Sequence, residues 1–112
     1  MTSVVHNLQQ VRERIASACE RAGRPPSSVR LLAVSKTFPA EAVRQAHAAG
    51  QRAFGENYVQ EALAKIEALA DLRTQLEWHL IGPLQSNKTR PVAEAFDWVH
   101  SVDRLKIAQR LA

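Results

Sequence analysis

Cysteine is nearly absent: Cys19 is the only one in 112 residues, which excludes an intrachain disulfide and a cysteine-based metal site. Aromatic residues make up only 5% of the chain. Without aromatics interleaved among clustered basic side chains there is no stacking surface for nucleic acid. No apolar run approaches the ~20 residues of a membrane span, and the N-terminus lacks the charged start and apolar segment of a signal peptide. A phosphate loop, a GxGxxG fingerprint and histidine pairs at metal-ligand spacing are missing as well. Acidic residues are outnumbered, 11 against 15 Lys and Arg, for a formal charge of +4. That excess favours an anionic partner but is too small and too scattered to argue for nucleic acid. The chain reads as soluble and cytoplasmic, with no nucleic acid and no membrane among its partners.

What is present is an alternation of short apolar runs and helical periodicity. Leu8, Val11, Ile15, Ala18, Cys19 and Ala22 share one face of a leading helix, which Gly23 and the prolines at 25 and 26 stop. Cys19 on that face reads as core. Strands are expected over 30–35, 51–54, 77–81 and 97–100. Between them, Pro39 opens a helix that Gly50 ends, Val59, Leu63, Ile66 and Leu69 recur at helical spacing, and a further helix surrounds 91–95. A last helix starts near Asp103, with Leu105, Ala108 and Leu111 on one side. Repeated β-α units with short connections predict a parallel sheet with right-handed crossovers. Four such strands leave two bare edges, and a closed (β/α)8 barrel needs about 250 residues. Residues 1–112 therefore read as a single partial domain, the N-terminal half of a TIM-type barrel with outer helices.

The chemistry-bearing residues lie where strands end. Lys36 closes the run Leu31-Leu32-Ala33-Val34-Ser35-Lys36. A lysine at the carboxyl end of a buried parallel strand sits where such folds gather their ligands, and a desolvated amine is a usable nucleophile toward carbonyls. Phe54-Gly55-Glu56-Asn57 follows the second strand, Trp78-His79 through Lys88 spans the third, and His100-Ser101 follows the fourth. Convergence of Lys, Asn, His and Ser on one rim suits a polar, anionic carbonyl compound. Duller roles stand beside these. Asn57 with Gln60 has capping-box spacing, His79 suits a hydrogen-bonded core position, and Gly82-Pro83 suits a plain turn. Glu56 and Glu61 suit surface pairing with nearby lysines, and Lys65, Lys88 and Lys106 are expected to be hydrated.

The segments LLAVSKTFP, FGENYVQEALAKI, LEWHLIGPLQSNKTR and FDWVHSVDRLKIA resemble the pyridoxal-phosphate homeostasis protein family, whose barrel is similar to the N-terminal domain of alanine racemase. The resemblance runs from about residue 6 onward. It implies that Lys36 holds pyridoxal 5′-phosphate as a Schiff base, that Asn57 lines the pocket near the ring, and that His79 and Ser101 face the barrel mouth. It implies a cofactor carrier rather than an enzyme, in transient contact with cofactor-dependent apoenzymes. The alternative on the same barrel is a pyridoxal-phosphate-dependent racemase or decarboxylase. Family members run to roughly twice this length, in keeping with a whole barrel. The phosphate-holding segments and an arginine facing the pyridine nitrogen are expected beyond residue 112.

Overall fold

The computed structural model describes residues 4–102 and 105–112. Helix α1 (Val4–Ala22) leads. Four β-α units follow: β1 (Ala33–Val34) and α2 (Ala40–Ala48), β2 (Ala53–Glu56) and α3 (Val59–Ala68), β3 (Glu77–Leu80) and α4 (Thr89–Ala95), β4 (Trp98–Val99) and α5 (Leu105–Leu111). The strands pair in chain order, all parallel. This is the arrangement that the alternation of patterns predicts.

Glycine ends the first two helices. Gly23 has φ 69° and Gly50 φ 95°. In each case the next amide reaches back over the last turn, Arg24 to the carbonyl of Cys19 at 2.8 Å and Gln51 to that of Ala46 at 3.0 Å. These are Schellman closures, which need a left-handed residue at this point. Gln51 is thereby spent on ending α2. Its side chain also bridges the carbonyls of Leu31 and Ala53, and Arg12 of α1 grips it together with the Ala49 carbonyl. Strand β2 consequently begins two residues later than its apolar run suggests and continues to Glu56.

The other strands are trimmed for similar reasons. Asp97 turns its carboxylate to the Trp78 amide at 2.8 Å and pairs with Arg73, so it caps the sheet rather than joining β4. Register puts Ala33, Phe54 and Trp78 in one lateral row on the helix side. Phe54 and Trp78 meet at 5.9 Å between ring centroids. They bury against Val43 and Ala46 of α2, Ala62 and Ile66 of α3, Val92 of α4 and Ile107 of α5. The larger of these aliphatic and aromatic side chains each contribute about 1.5–3 kcal/mol on leaving water.

Several expected faces differ from those found. On α1 only Leu8 and Cys19 are buried, and Val11 is exposed, because the helix rests on α2 over part of its length. On α5 the inward residue is Ile107, with Leu111 partly buried one turn on, while Leu105 is 74% exposed. The α5 stripe therefore runs along i, i+4 from Ile107; the expected start at Asp103 lies outside the described residues. The strands are also not apolar on both faces. Their inner side carries Glu77, His79 and His100 besides the exposed Val34 and Trp98.

Candidate functional site

The inner row of the sheet is Val34, Gly55, His79 and Trp98, aligned by register. Side chains on one face of a strand recur every second residue. Two residues further on stand Lys36, Asn57, Ile81 and His100, at the carboxyl ends of all four strands. That rim is where parallel α/β folds collect their chemistry.

Lys36 is exposed, not buried as its apolar run suggests. It occupies the second position of a turn, Ser35 to Phe38, closed by the Phe38 amide on the Ser35 carbonyl at 3.1 Å. Thr37, the third residue, has φ 65°. A positive φ at that position defines a type II turn, which favours glycine and strains a β-branched residue. Lys36 itself is not among the residues with positive φ.

Beneath this turn lies a network that the sequence pattern conceals. Lys65, expected to be hydrated, is buried at 6% exposure, and Glu56 is buried completely. Lys65 Nζ donates to the Ser35 carbonyl at 2.7 Å, to both Glu56 oxygens at 3.0 and 3.2 Å, and to Glu61 Oε1 at 3.3 Å. An ammonium has three protons, and here three residues receive them. Ser35 Oγ donates to Glu56 Oε2. Glu61 Oε1 also accepts the Thr37 amide at 2.5 Å. Glu56 and Glu61 are thus not a surface pair. The available signal was the alternation in β2: Glu56 lies two residues beyond Phe54, on the helix side, once the strand runs that far.

Asn57 does not cap its helix. Tyr58 occupies the position before α3, and it makes no side-chain cap bond. Asn57 Oδ1 is instead buried without a hydrogen-bond partner, the one such side-chain atom among the described residues. A buried acceptor left unpaired is costly. Gly82 lies against the same residue. A Cβ there would stand 2.8 Å from Asn57 Cα and closer still to its carbonyl oxygen. Only glycine permits this approach, so Gly82-Pro83 is more than a turn. Ser101 Oγ donates to the Gly82 carbonyl and ties the end of β4 to the same rim.

His79 lies two residues below the rim, buried, with its ring stacked on Trp98 at 6.1 Å and 9°. Nε2 contacts Glu77 Oε1 at 2.7 Å and Nδ1 contacts His100 Nε2 at 2.9 Å. A carboxylate only accepts, so Nε2 donates to Glu77, and the direction of the Nδ1–His100 contact follows the tautomers of the two rings. Both nitrogens are committed to protein partners. Arg30 continues the chain to Glu77 at 3.0 Å. The Arg30 guanidinium, opposed by burial and aided by His79, holds the Glu77 carboxyl below the usual range. The structure thus brings Lys36, Asn57 and Ser101 to the rim and leaves His79 on the wall below it. Among the described residues no group of three His, Cys, Asp or Glu could hold a metal ion, and no helix is long and apolar enough to cross a membrane.

Comparison with known proteins agrees with this frame. The chain is 65% identical over 112 residues to the pyridoxal phosphate homeostasis protein of Pseudomonas aeruginosa, covering 100% of this chain and 48% of that protein. It is 60% identical to the protein of the same name from Escherichia coli K12, covering 99% of this chain and 48% of that protein. Among solved structures, PipY of Synechococcus elongatus with PLP bound superposes with a TM-score of 0.74 at 58% identity, over 90% of this chain and 46% of that one. An unknown protein from Bifidobacterium adolescentis superposes with a TM-score of 0.89 at 38% identity, over 96% of this chain and 47% of that one. The chain spans about half the length of the relatives it matches, and its four β-α units correspond to the N-terminal part of their barrel. The alanine racemase N-terminal domain family matches residues 6–112, and the chain belongs to this family.

Proposed function

We propose that the protein holds pyridoxal 5′-phosphate as a Schiff base on Lys36, in intracellular cofactor homeostasis and without substrate turnover. The observation that carries this reading is the pairing of an exposed amine, Lys36, with a buried unpartnered acceptor, Asn57 Oδ1, on one strand-end rim. These residues fit such a group: an accessible amine for its aldehyde and a free acceptor for a donor on or near its ring. The cofactor supplies an aldehyde that condenses reversibly with an amine.

Each residue then has a definite task. Lys36 would hold the group through its amine, to which the cofactor would supply a carbonyl carbon for reversible condensation with loss of water. Asn57 orients what lies beside the amine. His79, bound to Glu77 and His100, forms a fixed polar wall below the rim, and Ser101 holds the Gly82 backbone that closes against Asn57. On this reading residues 1–112 form one partial domain, and the phosphate contacts are proposed to lie elsewhere in the whole protein. The relatives' names support homeostasis as the role. Residence in the cytoplasm and transient contact with apoenzymes that receive the cofactor belong to the same proposal.

Borohydride treatment of the cofactor-loaded full-length protein, followed by peptide mass mapping, tests it. The adduct is expected on Lys36, and loaded protein should not racemise or decarboxylate amino acids. A dominant adduct on another lysine, or steady amino-acid turnover, overturns the reading.

A further inference from the structure

We infer that Glu61 and Lys65 are positioning residues for Lys36: together with Glu56 they hold the Ser35–Phe38 turn in its strained form, and so fix the backbone from which the reactive amine projects. This rests on the proposed role of Lys36 and adds a device that serves it.

The peptide between Lys36 and Thr37 decides the form of the turn. Type I and type II turns differ chiefly in the flip of this central peptide, and the type II flip needs a positive φ at the third residue. Thr37 supplies φ 65° although it is β-branched, and an L-residue in that region costs free energy unless its surroundings enforce it. The enforcing contact comes from α3. Glu61 Oε1 accepts the Thr37 amide at 2.5 Å, which points that N–H at α3 and the antiparallel Lys36 carbonyl away from it. Thr37 Oγ1 then donates to the same carbonyl at 2.6 Å. The other end of the turn is held from below, where Lys65 donates to the Ser35 carbonyl at 2.7 Å. Lys65 also joins the two carboxylates, at 3.0 Å from Glu56 and 3.3 Å from Glu61. The peptides on both sides of Lys36 are therefore tied to α3 through one buried ammonium. The lysine itself stays exposed and available.

Glu61 is the side chain to change, because it is 32% exposed and its removal leaves the buried Lys65–Glu56 pair intact. In full-length protein, Glu61→Ala should weaken formation of the Lys36 adduct, followed by its visible absorbance during titration with pyridoxal 5′-phosphate. The expected loss is about tenfold, the factor that about 1.4 kcal/mol produces. The Thr37 amide should exchange with solvent faster in the cofactor-free protein. Adding Thr37→Gly to Glu61→Ala should restore binding to within a few-fold of wild type, because glycine adopts the left-handed turn without the clamp. A purely structural role for Glu61 does not predict that rescue. Unchanged binding in Glu61→Ala, or a loss that Thr37→Gly does not repair, overturns the inference while leaving Lys36 as the attachment point. An adduct that survives Lys36→Ala overturns the proposed function instead, and the positioning role with it.

Discussion

Replacing Lys65 by methionine removes the charge and keeps most of the volume, which isolates the electrostatic part of the buried network. In the native chain Lys65 satisfies the Ser35 carbonyl, both oxygens of Glu56 and one oxygen of Glu61. After the change, Glu56 keeps only the Ser35 hydroxyl as a side-chain donor and remains fully buried. Breaking a buried pair from one side costs about 3–5 kcal/mol, because an uncompensated charge stays behind. Equilibrium denaturation of the full-length protein, read by tryptophan fluorescence since Trp78 is buried, measures the loss. Adding Glu56→Gln to Lys65→Met should recover about 2 kcal/mol, as expected for directly coupled partners. A deficit below about 1 kcal/mol, or no recovery in the double variant, would show that Lys65 is not what compensates the buried Glu56.

Three further outcomes follow from the rim and the inner wall below it. Asn57→Ala should change the stability of the cofactor-free protein by less than about 1 kcal/mol, since no cap and no paired buried acceptor is lost, yet it should reduce cofactor retention. A large fall in thermal midpoint with unchanged affinity would count against that. Gly82→Ala should destabilise by about 1–3 kcal/mol, as overpacking against backbone does, and should weaken cofactor retention with it; a neutral result in both assays would refute the close approach to Asn57. Glu77 has its folded proton affinity lowered, first by the Arg30 hydrogen bond. Its contribution is therefore present above the ordinary carboxylate range and lost as pH falls through the lower folded value. Acid-limb denaturation curves should be shallower for Glu77→Gln than for wild type, and identical limbs would exclude this contribution.

The order of elements and the rim were legible in the amino-acid sequence, because both depend on local pattern. Apolar periodicity placed the helices, Gly23 and Gly50 marked two helix ends, and strand-end motifs singled out Lys36 and Asn57. Where sequence reasoning stopped short, the deciding partner lay far along the chain. Gln51 was read as strand, yet it closes α2 and binds Arg12, 39 residues away. Asn57 had the spacing of a cap, but Gly82 arrives across the sheet and seals its backbone. Lys65 and Glu61 at i, i+4 look like a surface pair on a helix. Only the packing of α3 over the ends of β1 and β2 buries Lys65 against Glu56 and the Ser35 carbonyl. Burial of a charge depends on what covers it from other elements, and periodicity within one helix carries no record of that. The same packing leaves Lys36 in water and tightens the turn beneath it, so the sequence located the amine while the tertiary structure decided how it is held.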